Sequence, residues 1–169
     1  MRLSVQTQHA VKIICYALLS LAALCFSAAF FPALGVSESV PRITVAIISA
    51  LAMKEGIKYA SFFAVIFGGI EAYVFGESPL VYVLFYGGFA FLCMALFGSF
   101  FTKNFFSWGL YTLGGILLFA VLQLFRPVSE WGVSAANVIA GGTLQSLLLS
   151  VVFSLPVYPI VAKIKAKTE

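Results

Sequence analysis

The sequence predicts an all-α integral membrane protein: a compact bundle of six transmembrane helices with both termini cytoplasmic. Three observations lead there. Apolar residues make up 62% of the 169-residue chain and charged residues 9%, where a soluble domain carries about a quarter charged. Mean hydropathy is +1.08. The apolar residues fall into successive runs separated by turn residues and cations, which is how a multi-pass chain is written. No connection is long enough for an extramembrane unit, so residues 1–169 read as a single transmembrane domain.

The first span is expected at 13–35, an uncharged run of 23 residues, which at 1.5 Å per residue covers a hydrocarbon core of about 30 Å. A signal peptide is the rival reading of this run, with Ser27-Ala28-Ala29 as its small-residue site. Pro41 precedes a second run at 43–54, too short to cross unaided. It is expected to be enclosed by its neighbours, or to have its ends drawn inward with Arg42 and Lys54 snorkelling. Gly56 introduces the third span at 58–76. The turn Gly76-Glu77-Ser78-Pro79 leads to the fourth at 80–101, and the fifth follows at 105–125. Arg126-Pro127 and Trp131-Gly132 bracket a gap before a long sixth at 133–162.

Charge decides whether the short run crosses. With six crossings, Arg2, Lys12, Lys54, Lys58, Lys103, Lys163, Lys165 and Lys167 share one side, and only Arg42 and Arg126 take the other. A re-entrant second run would put seven of the ten cations outside. Cations concentrate in cytoplasmic loops, so six crossings are expected. The net charge of +4 follows from this bias and calls for no nucleic acid; membrane lipid is a partner the tail "KIKAK" could touch, though its three lysines are fewer than a usual polybasic cluster.

Little in the chain points to catalysis or cofactors. The lone His9 lies just before the first span and reads as an interfacial residue. The sequence has no Asp, and a Ser-His dyad within the membrane would need a His at depth, where there is none. Cys15, Cys25 and Cys93 are isolated within apolar runs and read as small packing residues. No phosphate loop or nucleophile elbow is present. The expectation is a non-enzyme with no cofactor, no metal and no small-molecule substrate.

Glu71 stands out. It follows Gly68-Gly69-Ile70 in an otherwise apolar span, below its outer end. A carboxylate at such depth faces the bundle interior and has a partner. Arg126, at the outer end of the fifth span, is the expected partner in a buried ion pair, with Gln123 one turn below it. A contact to another membrane protein is the alternative role for the acid, and a proton or ion relay is a third. The pairs Gly68-Gly69, Gly87-Gly88, Gly114-Gly115 and Gly141-Gly142 each fall within a span. They are expected to mark close helix packing, above all between the third and fourth spans.

The segment "GGIEAYVFGESPL" and the final "AANVIAGGTLQSLLLSVVFSLPVYPIVAKIKAK" resemble the rod shape-determining MreD family. That family has an acidic residue in a Gly-rich third span and a proline-aromatic exit before a basic tail. Glu71 stands where the family usually has Asp, and Val81 where it often has Gly. The resemblance runs roughly over residues 41–167. It implies an S-component-like fold, similar to the substrate-binding subunits of energy-coupling-factor transporters. It also implies a scaffold of the bacterial cytoplasmic membrane that binds an MreC-like protein and links it to lateral peptidoglycan synthesis. A substrate-binding S component of a vitamin transporter is the alternative. Fold likeness alone does not transfer that activity.

Overall fold

In a computed structural model, residues 5–33, 40–99, 104–131, 134 and 143–168 are described, and among them only helices and turns occur. The first helix, α1 (Val5–Cys25), starts two turns before the apolar run. It continues through a π-helical turn, Phe26–Phe30, into Phe31–Ala33. The ladder widens just where Pro32 has no N–H to offer the carbonyl four residues back.

Helix α2 (Ile43–Lys54) is the centre of the bundle. Every residue from Ile43 to Met53 is buried. A helix hydrophobic on all faces is stable only when enclosed, and this one is surrounded by the other helices. Its twelve residues span about 18 Å, well short of a hydrocarbon core. Gly56, at φ 91, turns the chain into α3 (Ile57–Val74). Gly76, at φ 68, turns it again into α4 (Pro79–Ser99). Both positions lie in the left-handed region where a Cβ is penalised. Proline at the first position of α4 forgoes an N–H that has no intrahelical partner there.

Helix α5 (Phe105–Trp131) runs further than expected. The break placed at Arg126-Pro127 does not occur. Pro127 removes only the hydrogen bond to the Gln123 carbonyl, and the helix continues through it. The sixth run is divided in two, α6 (Leu144–Ser154) and α7 (Val157–Thr168). Pro156 cannot donate to Val152, whose carbonyl accepts a 3.4 Å bond from Leu155 N–H instead. Gly141-Gly142 lie outside the described residues. Five helical segments are long and apolar enough to cross a membrane, with α2 the additional short one.

Helices α3 and α4 form the most extensive helix–helix contact among the described residues, and the glycine pairs contribute unequally. A Cβ on Gly68 would stand 2.9 Å from Tyr86 Cδ2 and 3.3 Å from the Tyr82 carbonyl oxygen. On Gly69 it would meet only Val83 Cγ2, at 3.9 Å. Gly87 and Gly88 face no described atom within 4 Å. The expectation of tight packing at that pair is therefore corrected among the described residues, none of which approaches either glycine. Gly115 on α5 is the other close approach, with its Cβ position blocked by the Phe89 ring and Val45. Gly114 beside it is open.

Candidate functional site

Polar groups gather at both ends of α2. Where α2 begins, the extended segment Val40–Arg42 is held by serines from two helices. Ser27 Oγ, in the π-helical turn that follows α1, donates to the Pro41 carbonyl at 2.9 Å. Ser146 Oγ of α6 donates to the Val40 carbonyl at 2.6 Å. Arg42 N–H donates to Ser150 Oγ at 2.8 Å. Backbone groups that precede the helix and lack ladder partners are thereby satisfied.

Those contacts fix Arg42 at the depth of Glu71. Its Nη1 donates to Glu71 Oε1 at 3.1 Å, and Tyr86 Oη donates to Glu71 Oε2 at 2.9 Å. Glu71 is 2% exposed, and the Arg42 side chain 11%. Each carboxylate oxygen thus has a donor, one of them cationic, which is what a buried acid requires. The guanidinium carbon lies 4.4 Å from the Phe75 ring centroid and 5.3 Å from that of Phe119. Aromatic faces offset part of the cost of drawing a cation out of water. Arg42 Nε is buried without a hydrogen-bond partner among the described residues.

Gly68 explains how Tyr86 reaches the acid. It sits one turn before Glu71 on the same face of α3, and the Tyr86 ring fills the space a side chain would take. The tyrosine hydroxyl then lands beside the carboxylate. The Gly-rich stretch and the acid that follows it serve one arrangement.

Where α2 ends, Lys12 Nζ donates to Glu55 Oε2 at 3.3 Å and Tyr16 Oη to Glu55 Oε1 at 2.8 Å. His9 is exposed and its Nδ1 lies 2.7 Å from Tyr59 Oη. Lys165 Nζ reaches from α7 to the Lys54 carbonyl at 2.7 Å, a cation on the negative end of the α2 dipole. Between the two ends, Ser49 and Thr112 hydroxyls meet at 2.8 Å, and Trp108 Nε1 donates to the Ala46 carbonyl at 3.3 Å. No group of three His, Cys, Asp or Glu among the described residues could hold a metal.

The structure therefore brings Glu71 into a buried ion pair, as expected, but with Arg42. The side chain of the expected partner, Arg126, lies outside the described residues. The signal for Arg42 was the short second run. Its flanking cation must lie below the membrane surface, and Glu71 lies there too. Tyr86 was not singled out, because a tyrosine within an apolar span has no distinctive spacing.

No family model, curated protein or solved structure matches this chain.

Proposed function

We propose that the protein is a non-enzymatic, multi-pass scaffold of a bacterial cytoplasmic membrane. On this reading it crosses six times with both termini inside, binds an MreC-like membrane protein, and links it to lateral peptidoglycan synthesis. One observation carries the reading beside the MreD resemblance. The acid at depth is satisfied within the bundle by Arg42 and Tyr86, so it cross-links α2, α3 and α4. What remains for other molecules is a broad exposed apolar exterior, including Phe62, Tyr73, Leu84 and Phe91. Such surfaces in a membrane chain suit association with other helices.

The topology is consistent with the contacts at the two ends. Lys12, Lys54, Glu55 and Lys165 gather at one end of the bundle, and Arg42 and Glu71 at the other. Six passes with the lysine end inside put the cations where membrane insertion favours them. The test is affinity purification of tagged protein from native membranes, with identification of what accompanies it. Recovery of an MreC-like protein, and rounding of rod-shaped cells on depletion, is the expected result. Recovery of transporter subunits instead would overturn it.

A second reading has its own observation. Arg42 Nε, buried without a hydrogen-bond partner among the described residues, lies beside the Phe75 and Phe119 rings. An orphaned donor beside aromatic walls suits a substrate-binding S component. Gentle purification followed by mass spectrometry of released small molecules separates the two. A stoichiometric vitamin-like ligand would favour the transporter subunit.

A further inference from the structure

The Lys54 end of the bundle carries an ordered cationic face. We infer that the exposed face of α7, formed by Ile160, Lys163 and Lys167, binds the headgroup of an anionic phospholipid. The inference rests on the membrane reading of the chain and on no protein partner.

The residues at 160, 163 and 167 are spaced three and four apart, so they share one face of the helix. All three are exposed. Val157 and Val161 face inward and are buried. Along the exposed face the chemistry changes from apolar to cationic over seven residues, about 10 Å of helix. Before α7, Val152 at the end of α6 and Leu155 in the following turn are exposed apolar side chains as well. That gradient matches a lipid, with acyl chain below and phosphate above. A soluble acidic protein would complement the lysines and leave the apolar part in contact with lipid or water.

Fixed geometry distinguishes this face from a loose basic tail. Lys165, on the other side of α7, donates to the Lys54 carbonyl. Lys54 Nζ lies 4.6 Å from the Tyr158 ring centroid. These contacts clamp α7 against the end of α2 and direct Lys163 and Lys167 outward. Glu55, the described carboxylate at this end, is engaged by Lys12 and Tyr16. The two exposed lysines thus add to a local excess of positive charge, where each contributes about a fivefold gain in affinity for an anionic lipid surface.

The experiment uses the full chain in a neutral detergent, titrated with phosphatidylglycerol or phosphatidylcholine. Bound lipid is counted by native mass spectrometry, and folding is checked by thermal melting. Wild type is expected to retain phosphatidylglycerol at least fivefold better than phosphatidylcholine. K163Q/K167Q should abolish most of that preference, K163R/K167R should keep it, and I160S should weaken it. No preference in wild type, or an unchanged preference in K163Q/K167Q, overturns the inference. So does displacement of the lipid by inorganic phosphate, which would identify a free-anion site. Displacement by poly-glutamate, with I160S behaving as wild type, would identify an acidic protein partner and also overturn it.

Discussion

Arg42 and Glu71 meet 3.1 Å apart at the entrance of the central helix α2, and neither side chain is more than about a tenth exposed. The pair joins a residue that precedes α2 to one near the end of α3. Tyr86 closes the arrangement from α4. Three helices are thereby tied at one point by groups that cannot be left unpaired in an apolar interior.

The hydroxyl of Tyr86 can be tested apart from its ring. Tyr86→Phe keeps the stacking on Phe119, at 5.8 Å between centroids, and removes one donor from a buried carboxylate oxygen. Loss of a hydrogen bond to a charged group costs about 1.5–3 kcal/mol. A lowered melting temperature in detergent, with helicity unchanged, is the expected outcome. A melting temperature equal to wild type would show that the hydroxyl does not serve Glu71.

Two glycines on neighbouring helices should respond in opposite ways. Gly68→Ala forces a methyl group against the Tyr86 ring at 2.9 Å, and overpacking of this kind costs about 1–3 kcal/mol. Gly88→Ala meets no described atom within 4 Å and should leave melting unchanged or slightly raise it through the helix propensity of alanine. Comparative melting curves decide this. Equal sensitivity at both positions would contradict the placement of the α3–α4 contact at Gly68.

Sidedness follows from the ends at which residues lie. Lys58 begins α3 at the Lys54 end, and Ser78 lies in the turn after α3 at the other. In a chain lacking Cys15, Cys25 and Cys93, Lys58→Cys should react only with a membrane-permeant reagent in intact cells. Ser78→Cys should react with an impermeant one. The reverse pattern would invert the proposed orientation, and impermeant labelling of both would mean that α3 does not cross.

Much of this was legible because membrane chains are written in strong signals. The described helices fall within or overlap the apolar runs, and Gly56 and Gly76 marked turns whose positive φ only glycine adopts freely. Proline was the unreliable punctuation. Pro127 lies inside α5 and Pro156 divides the last run, because in an apolar medium neighbouring structure decides whether a lost N–H ends a helix. The acid was legible at Glu71, and its need for a cation followed from burial cost. Which cation was not, since two outer arginines fitted the topology. The depth of Arg42 depends on the shortness of α2 and on hydroxyls of Ser27, Ser146 and Ser150 contributed by distant segments. Small-residue pairs behaved likewise: sequence marks where helices can approach, and tertiary packing selects Gly68 and Gly115 among them.

The most direct measurement is a double-mutant cycle on Glu71→Gln and Arg42→Met, read once by thermal stability in detergent and once by partner recovery from membranes. An internal pair predicts that each single change destabilises by about 3–5 kcal/mol, because it strands the other group, and that the double variant recovers most of the loss. Partner recovery should then follow stability. Additive losses in the two readouts, or a Glu71→Gln protein as stable as wild type that no longer retains its partner, would contradict the account and make the carboxylate a docking point.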